Sequence, residues 1–160
     1  MTRTPPFPPN AGLVVGAWLA AIPGLPAGSV ASALPRDTSK WAEDGFAQYT
    51  LLPGTAAIDS GTARTAMVQL DAWAVALNSD GTTKEARPKG KAFTVAEIIL
   101  DAMTDDAQRE RFGRPLEIAA NYSPVRVLAA WPMTEPTDVP DDPSNYARVT
   151  FDFALTWARI

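Results

Sequence analysis

The chain is predicted to fold as α+β: a mostly antiparallel four- or five-stranded sheet with two helices packed on one face. Three observations carry this. Residues 146–159 (YARVTFDFALTWAR) alternate, with Ala147, Val149, Phe151, Phe153, Leu155 and Trp157 on one side and Tyr146, Arg148, Thr150, Asp152, Ala154 and Thr156 on the other. That is the period of a strand with one buried face. Residues 68–77 (VQLDAWAVAL) likewise put Val68, Leu70, Ala72, Ala74 and Ala76 on one face and Gln69, Asp71, Trp73, Val75 and Leu77 on the other. Two further stretches carry apolar residues at helical spacing instead. The order helix, strand, strand, helix, strand, strand favours helices on one face of an antiparallel sheet.

The elements follow in order. Residues 1–10 (MTRTPPFPPN) are Pro-rich and read as an extended N-terminal arm. Asn10 is a fair N-cap for a helix over 11–22, where Val14, Ala17, Trp18 and Ala21 recur. Gly16 weakens that helix and Pro23 stops it. Prolines and glycines make 23–35 a loop. Residues 46–52 (FAQYTLL) and 67–77 are two strands of a hairpin whose tip, 53–64, has no periodicity. Residues 78–88 are a polar loop. Val95, Ile98, Ile99, Ala102 and Met103 stripe a second helix over 91–103, and Thr94 with Glu97 has capping-box spacing. The charged stretch 105–114 leaves that helix, and 115–121 reads as a short helical turn. Residues 125–131 are a third strand. Residues 132–143 form a loop holding Glu135, Asp138, Asp141 and Asp142, and the alternating segment 146–159 closes the chain. Residues 11–160 are expected to form a single domain.

Composition excludes several kinds of chemistry. The 160 residues contain no Cys and no His. Disulfides, thiolate nucleophiles, Ser-His-Asp triads and Cys/His zinc sites are therefore out of reach. The net charge of -4 argues against binding a phosphate backbone. No apolar run is long enough to cross a bilayer, and the stretch at 11–22 is set apart from Arg3 by four prolines, unlike a signal peptide. No P-loop, dinucleotide fingerprint or G-x-S-x-G is present. No catalytic, cofactor-binding or metal residue is assigned, and no cofactor is expected.

Some residues still ask for a role. Asp71 and Asp152 fall on one sheet face, where two carboxylates can act as an acid-base pair. Solvated positions on an open sheet face explain them more simply. Asp138, Asp141 and Asp142 have the wrong spacing for a calcium loop. Arg109, Arg111 and Arg114 alternate with acids, which favours an ion-paired turn. Of the five tryptophans, Trp18, Trp41, Trp131 and Trp157 read as core. Trp73 shares its face with Gln69 and Asp71 and reads as part of a contact surface.

Residues 17–19 (AWL), 30–35 (VASALP), 46–49 (FAQY) and 68–74 (VQLDAWA), with Lys91-Ala92 opening the second helix, form a pattern. It resembles the tail terminator (tail completion) proteins of long-tailed, siphovirus-type bacteriophages, particularly those infecting actinobacteria. The resemblance covers residues 12–105 and the final strand, and leaves out the Pro-rich arm and the acidic loop. It implies a structural virion protein, not an enzyme, that forms a homo-oligomeric, hexameric ring. Such a ring caps the tail tube protein, ends tube growth and joins the tail to head-tail connector proteins. DNA passes through its lumen without specific binding, and no membrane is involved. The implied location is the head-proximal end of the tail, after assembly in the host cytoplasm. A neck or connector protein of the same fold is the alternative, and a small carboxylate-dependent hydrolase is the rival outside this class. On this reading Gln69, Asp71 and Trp73 face a neighbouring subunit or the lumen. Thr55, Asp59 and Arg64 at the hairpin tip, with Asp138 and Asp141 in the acidic loop, contact a subunit or the tube.

Overall fold

Asn10 opens the first helix, α1 (Ala11–Ala20), in the computed structural model, by accepting the Leu13 N–H at 3.0 Å. An N-cap of this kind satisfies a donor that the helix itself cannot. The structure describes residues 2–53, 57–59, 63–140, 142 and 144–160. Gly16, the weak point of α1 by propensity, has a packing reason. A Cβ there would lie 2.5 Å from the Tyr49 hydroxyl oxygen. The Pro-rich arm is tied down at its end, where the Phe7 N–H donates to Asn121 O at 2.7 Å and Phe7 O accepts the Ser123 N–H at 2.9 Å.

The remaining elements are β1 (Val30–Ala31), β2 (Phe46–Leu51), β3 (Ala57–Asp59), β4 (Ala63–Ala74), α2 (Lys89–Thr104), α3 (Asp106–Arg109), β5 (Pro115–Leu116), β6 (Val125–Pro132), β7 (Thr137–Asp138) and β8 (Ala147–Arg159). Among the described residues they build one eight-stranded sheet in the order β1-β2-β4-β8-β6-β5, with β3 beside β4 and β7 beside β8. All pairings are antiparallel except β1 with β2. The expected four or five strands, and the two helices, were thus an undercount. The extra strands have two or three residues, too few to show alternation.

Two expected loops are partly sheet. Leu51 pairs with Val68, and the chain then rejoins the same edge of β4 at Ala57, opposite Thr65. Arg64 therefore lies inside β4, opposite Trp157 of β8, not in a hairpin tip. Asp59 ends β3 opposite Ala63. Thr55 and Asp141 lie outside the described residues. The loop after β6 behaves alike: Pro132 pairs with Phe153, and β7 rejoins β8 at Thr150 and Val149. Each long strand thus has an interrupted partner. Proline and glycine in the interruptions hid the pairing from periodicity.

The second helix begins at Lys89, so Thr94 falls in its interior. Its hydroxyl donates back to Gly90 O at 2.9 Å and forms no capping box. The charged exit contains the short α3, whose N-cap Asp105 accepts the Ala107 N–H. Residues 115–116 are the strand β5, where a helical turn was expected.

The core lies between α1, α2 and one face of the long strands. Val14, Val15 and Leu19 of α1 meet Ala92, Ala96 and Ile99 of α2 over Val68, Leu70 and Ala72 of β4 and Val149, Phe151, Phe153 and Leu155 of β8, all buried. Each of the Val, Leu, Ile and Phe side chains contributes about 1.5–3 kcal/mol by leaving water, and the alanines less. Both expected helices do pack on one face. No helix among the described residues is long and apolar enough to cross a membrane.

Candidate interaction face of the sheet

The second sheet face is built in rows by strand register. The first row is Phe46, Trp73 and Arg148; the next is Gln48, Asp71 and Thr150; the third is Thr50, Gln69 and Asp152; the fourth is Met67, Ala154 and Trp131. Gln69, Asp71 and Trp73 do share this face. They occupy three successive rows, about 7 Å apart along the strands.

Asp71 is buried and fully engaged. Arg148 Nε donates to Asp71 Oδ1 at 2.9 Å. The Gln69 amide donates to both Asp71 oxygens at 3.3–3.4 Å. Arg148 Nη1 also reaches Asp142 Oδ2 at 3.4 Å, so one guanidinium bridges two buried carboxylates. The same guanidinium carbon lies 5.2 Å from the centroid of the Trp73 ring. Trp73 Nε1–H donates to Gln48 Oε1 at 3.0 Å. A buried charge is tolerated only when paired and hydrogen-bonded, and this cluster meets that condition.

The electrostatics follow from the pairing. Burial alone would lower the Arg148 pKa, but Asp71 and then Asp142 outweigh it, and the net shift is upward. Burial pushes the Asp142 carboxyl up, yet the Ser144 hydroxyl and N–H, with Arg148, hold it below its ordinary value. Asp71 and Asp152 stand diagonally across Gln69 and Thr150. Asp71 is committed to Arg148, which leaves no free acid-base pair. Salt bridging and ring packing are what this cluster offers.

Below the first row a small second core closes the face. Trp41, Phe46 and Val75 are buried there with Trp73, Leu77 and Tyr146 packed against them. Tyr146 meets Trp41 and Trp73 edge-on, at 5.3 and 6.2 Å between centroids. Trp73 is therefore half enclosed by its own chain. Gly45, at φ +78, lets the chain entering β2 lie close to α2 and β4, since a Cβ there would lie 2.8 Å from Val95 Cγ2 and 3.1 Å from Trp73 O.

The acidic loop is also tied down. Lys89 Nζ pairs with Asp138 at 3.1 Å. Arg87 donates to Pro140 O and Asp142 O at 3.0 and 2.9 Å. Asp138 and Asp142 thus turn to different cations. Among the described residues no group of three or more acids is arranged to hold a metal ion. Arg64 sits on the helix-facing side, its guanidinium carbon 5.1 Å from the Trp157 ring centroid.

At the opposite end the face is bare. Trp131, expected in the core, is 41% exposed, with Leu128 at 43% and Met133 at 51%. Trp131 shares its row with Met67 and Ala154. Leu128 stands where the β6–β8 register slips between Val127 and Ala129. That bulge reverses the in-out parity of β6 and turns Trp131 out of the core, where a tryptophan in a strand was expected. Arg148, Asp142, Gln48 and Tyr146 were not singled out for this face either. Only the register brings them to Asp71 and Trp73.

No protein-family model matches the chain, and no curated protein matches it. Among solved structures, a chain from the virion of a native gene transfer agent (GTA) particle is similar at a TM-score of 0.49 and 14% identity, with 92% of each chain covered.

Proposed function

We propose that this chain is a structural virion protein that assembles into a ring at the head-proximal end of a phage tail tube. There it ends tube growth and joins the tail to the head connector. The reading rests on the sequence resemblance, and one observation supports it most: the exposed Leu128 and Trp131 of β6 and Met133 just after it. Large apolar side chains grouped on one surface are the usual mark of a protein contact, and tryptophan most of all. In this reading β6 and the row of Trp131 and Met67 meet a neighbouring subunit. The Asp71–Arg148–Asp142 cluster holds the fold behind that contact. A hexamer is the stoichiometry the resemblance implies. The net negative charge suits a lumen through which DNA slides.

The test is electron microscopy of tubes grown from the cognate tail tube protein, with and without this chain. Shorter tubes of uniform length, capped at one end by a ring, are the expected result. Unchanged, uncapped tubes overturn the terminator reading, and binding to the head portal complex instead would favour the connector alternative.

A further inference from the structure

A cleft of about 190 Å³ opens between α1 and the segment that leads into β6. Trp18, Ala21, Leu116 and Val127 wall it with apolar surface, and Arg111 and Arg114 supply its charges. No acidic residue lines it. Arg111 lies with its guanidinium carbon 5.9 Å from the centroid of the Trp18 ring. Its Nη2 reaches Trp18 O only at 3.5 Å, and its Nη1 is buried with no acceptor. Arg148, over the Trp73 ring, differs in this respect, because it bridges two carboxylates. Burial lowers the Arg111 pKa with nothing acting against it.

An unmet guanidinium in a partly apolar setting is a receptor for a planar anion. Its fork of donors matches a carboxylate in two parallel hydrogen bonds. The Gly113 N–H donates to Val127 O at 2.8 Å, which fixes the turn between Arg111 and Arg114 against the cleft wall. The volume is below the roughly 300–1,000 Å³ of drug-sized pockets and suits a group the size of one side chain.

We infer that the Trp18–Arg111–Val127 cleft binds a carboxylate carried on a short apolar stem. The carboxylate pairs with Arg111, Arg114 adds charge at the mouth, and the stem lies against Trp18, Leu116 and Val127. Such a group is either a free organic acid or an acidic side chain of another protein copy. This inference stands without the virion reading. Its rival is internal: Gln108 Oε1 is also buried without a donor, three residues before Arg111, and a small rotation could join the two.

Butyrate titrated into the labelled full chain tests this by NMR of the Trp18 indole and Arg111 side-chain resonances. A saturable shift is expected for butyrate and none for butylamine. Arg111→Met should weaken binding at least about tenfold, the loss of a charged hydrogen-bond pair. Arg114→Gln, at an exposed position, should weaken it several-fold without touching the fold. An equal response to inorganic phosphate would overturn the carboxylate assignment. No saturable shift, in a protein whose self-association also ignores butyrate and Arg111→Met, would overturn the site and favour the Gln108 pairing. Self-association lost in both cases identifies another copy's acid as the occupant, while binding at constant mass identifies a free acid.

Discussion

Trp73 and Trp131 sit on the same sheet face and meet opposite fates. Around Trp73 the chain supplies everything the face needs: Arg148 over the ring, Gln48 for the indole N–H, and Tyr146 with Trp41 at its edge. Around Trp131 it supplies little beyond Ala154 and Met67 in the same row, and the ring stays 41% exposed. The charged residues make the difference. Asp71 and Asp142 need a cation, Arg148 provides it, and the segment that carries Asp142 is drawn onto the face with it. The Trp131 end has no such anchor, and its ring stays partly in solvent.

Breaking the anchor should have the largest effect. Arg148→Met removes the guanidinium over Trp73 and takes the cation from two buried carboxylates. Removing one member of a buried ion pair costs about 3–5 kcal/mol, to be read from urea unfolding followed by tryptophan fluorescence. A change near zero would mean that water reaches Asp71 freely, and the contrast between the two ends would fall. Gly45→Ala comes next. It places a methyl against Val95 and Trp73 O at positive φ, with an expected loss of about 1–3 kcal/mol.

Acid should act selectively on the anchored end. The Asp142 carboxyl lies below its ordinary 3.8 in the fold and returns to it on unfolding. Its contribution is complete above that value and is lost as pH falls below it. Asp142→Asn should be less stable than the parent at neutral pH, and its unfolding midpoint should decline less steeply below about pH 4. Parallel curves for the two proteins would remove the carboxylate from the account.

Trp131→Ser should have the smallest effect on stability, within about 0.5 kcal/mol, as for an exposed residue. Its effect on assembly should be large. Sedimentation is expected to show a lighter species, or electron microscopy a tube left uncapped. A variant that assembles normally would mean that the bare end is not the subunit contact.

The sequence announced the two long strands and both main helices because each has enough residues to display a period. Val68 to Ala74 and Ala147 to Trp157 show their buried sides by alternation alone, and Asn10 marks its helix by capping chemistry. Residues 30–31, 57–59, 115–116 and 137–138 pair in runs of two or three and display nothing. The candidate face was half legible. Gln69, Asp71 and Trp73 were visible as polar and aromatic side chains on one side of a strand. Their partners were not, because Arg148 lies 77 residues from Asp71 and only register unites them. Trp131 was expected in the core on its residue type, and the one extra residue that turns it outward in β6 leaves no mark in the sequence.

The interrupted partners of the two long strands also divide the molecule mechanically. β4 and β8 face each other over twelve paired positions, from Ala63 with Ala158 to Ala74 with Ala147. A pull along these strands must shear all twelve rungs together. The outer pieces hold by far fewer, three positions for β3 and two for β7. Tension on those margins therefore peels them away a few hydrogen bonds at a time, while the central pair bears the load as one beam. Yielding edges on a stiff spine let the sheet's margin follow an uneven neighbour without passing the strain inward.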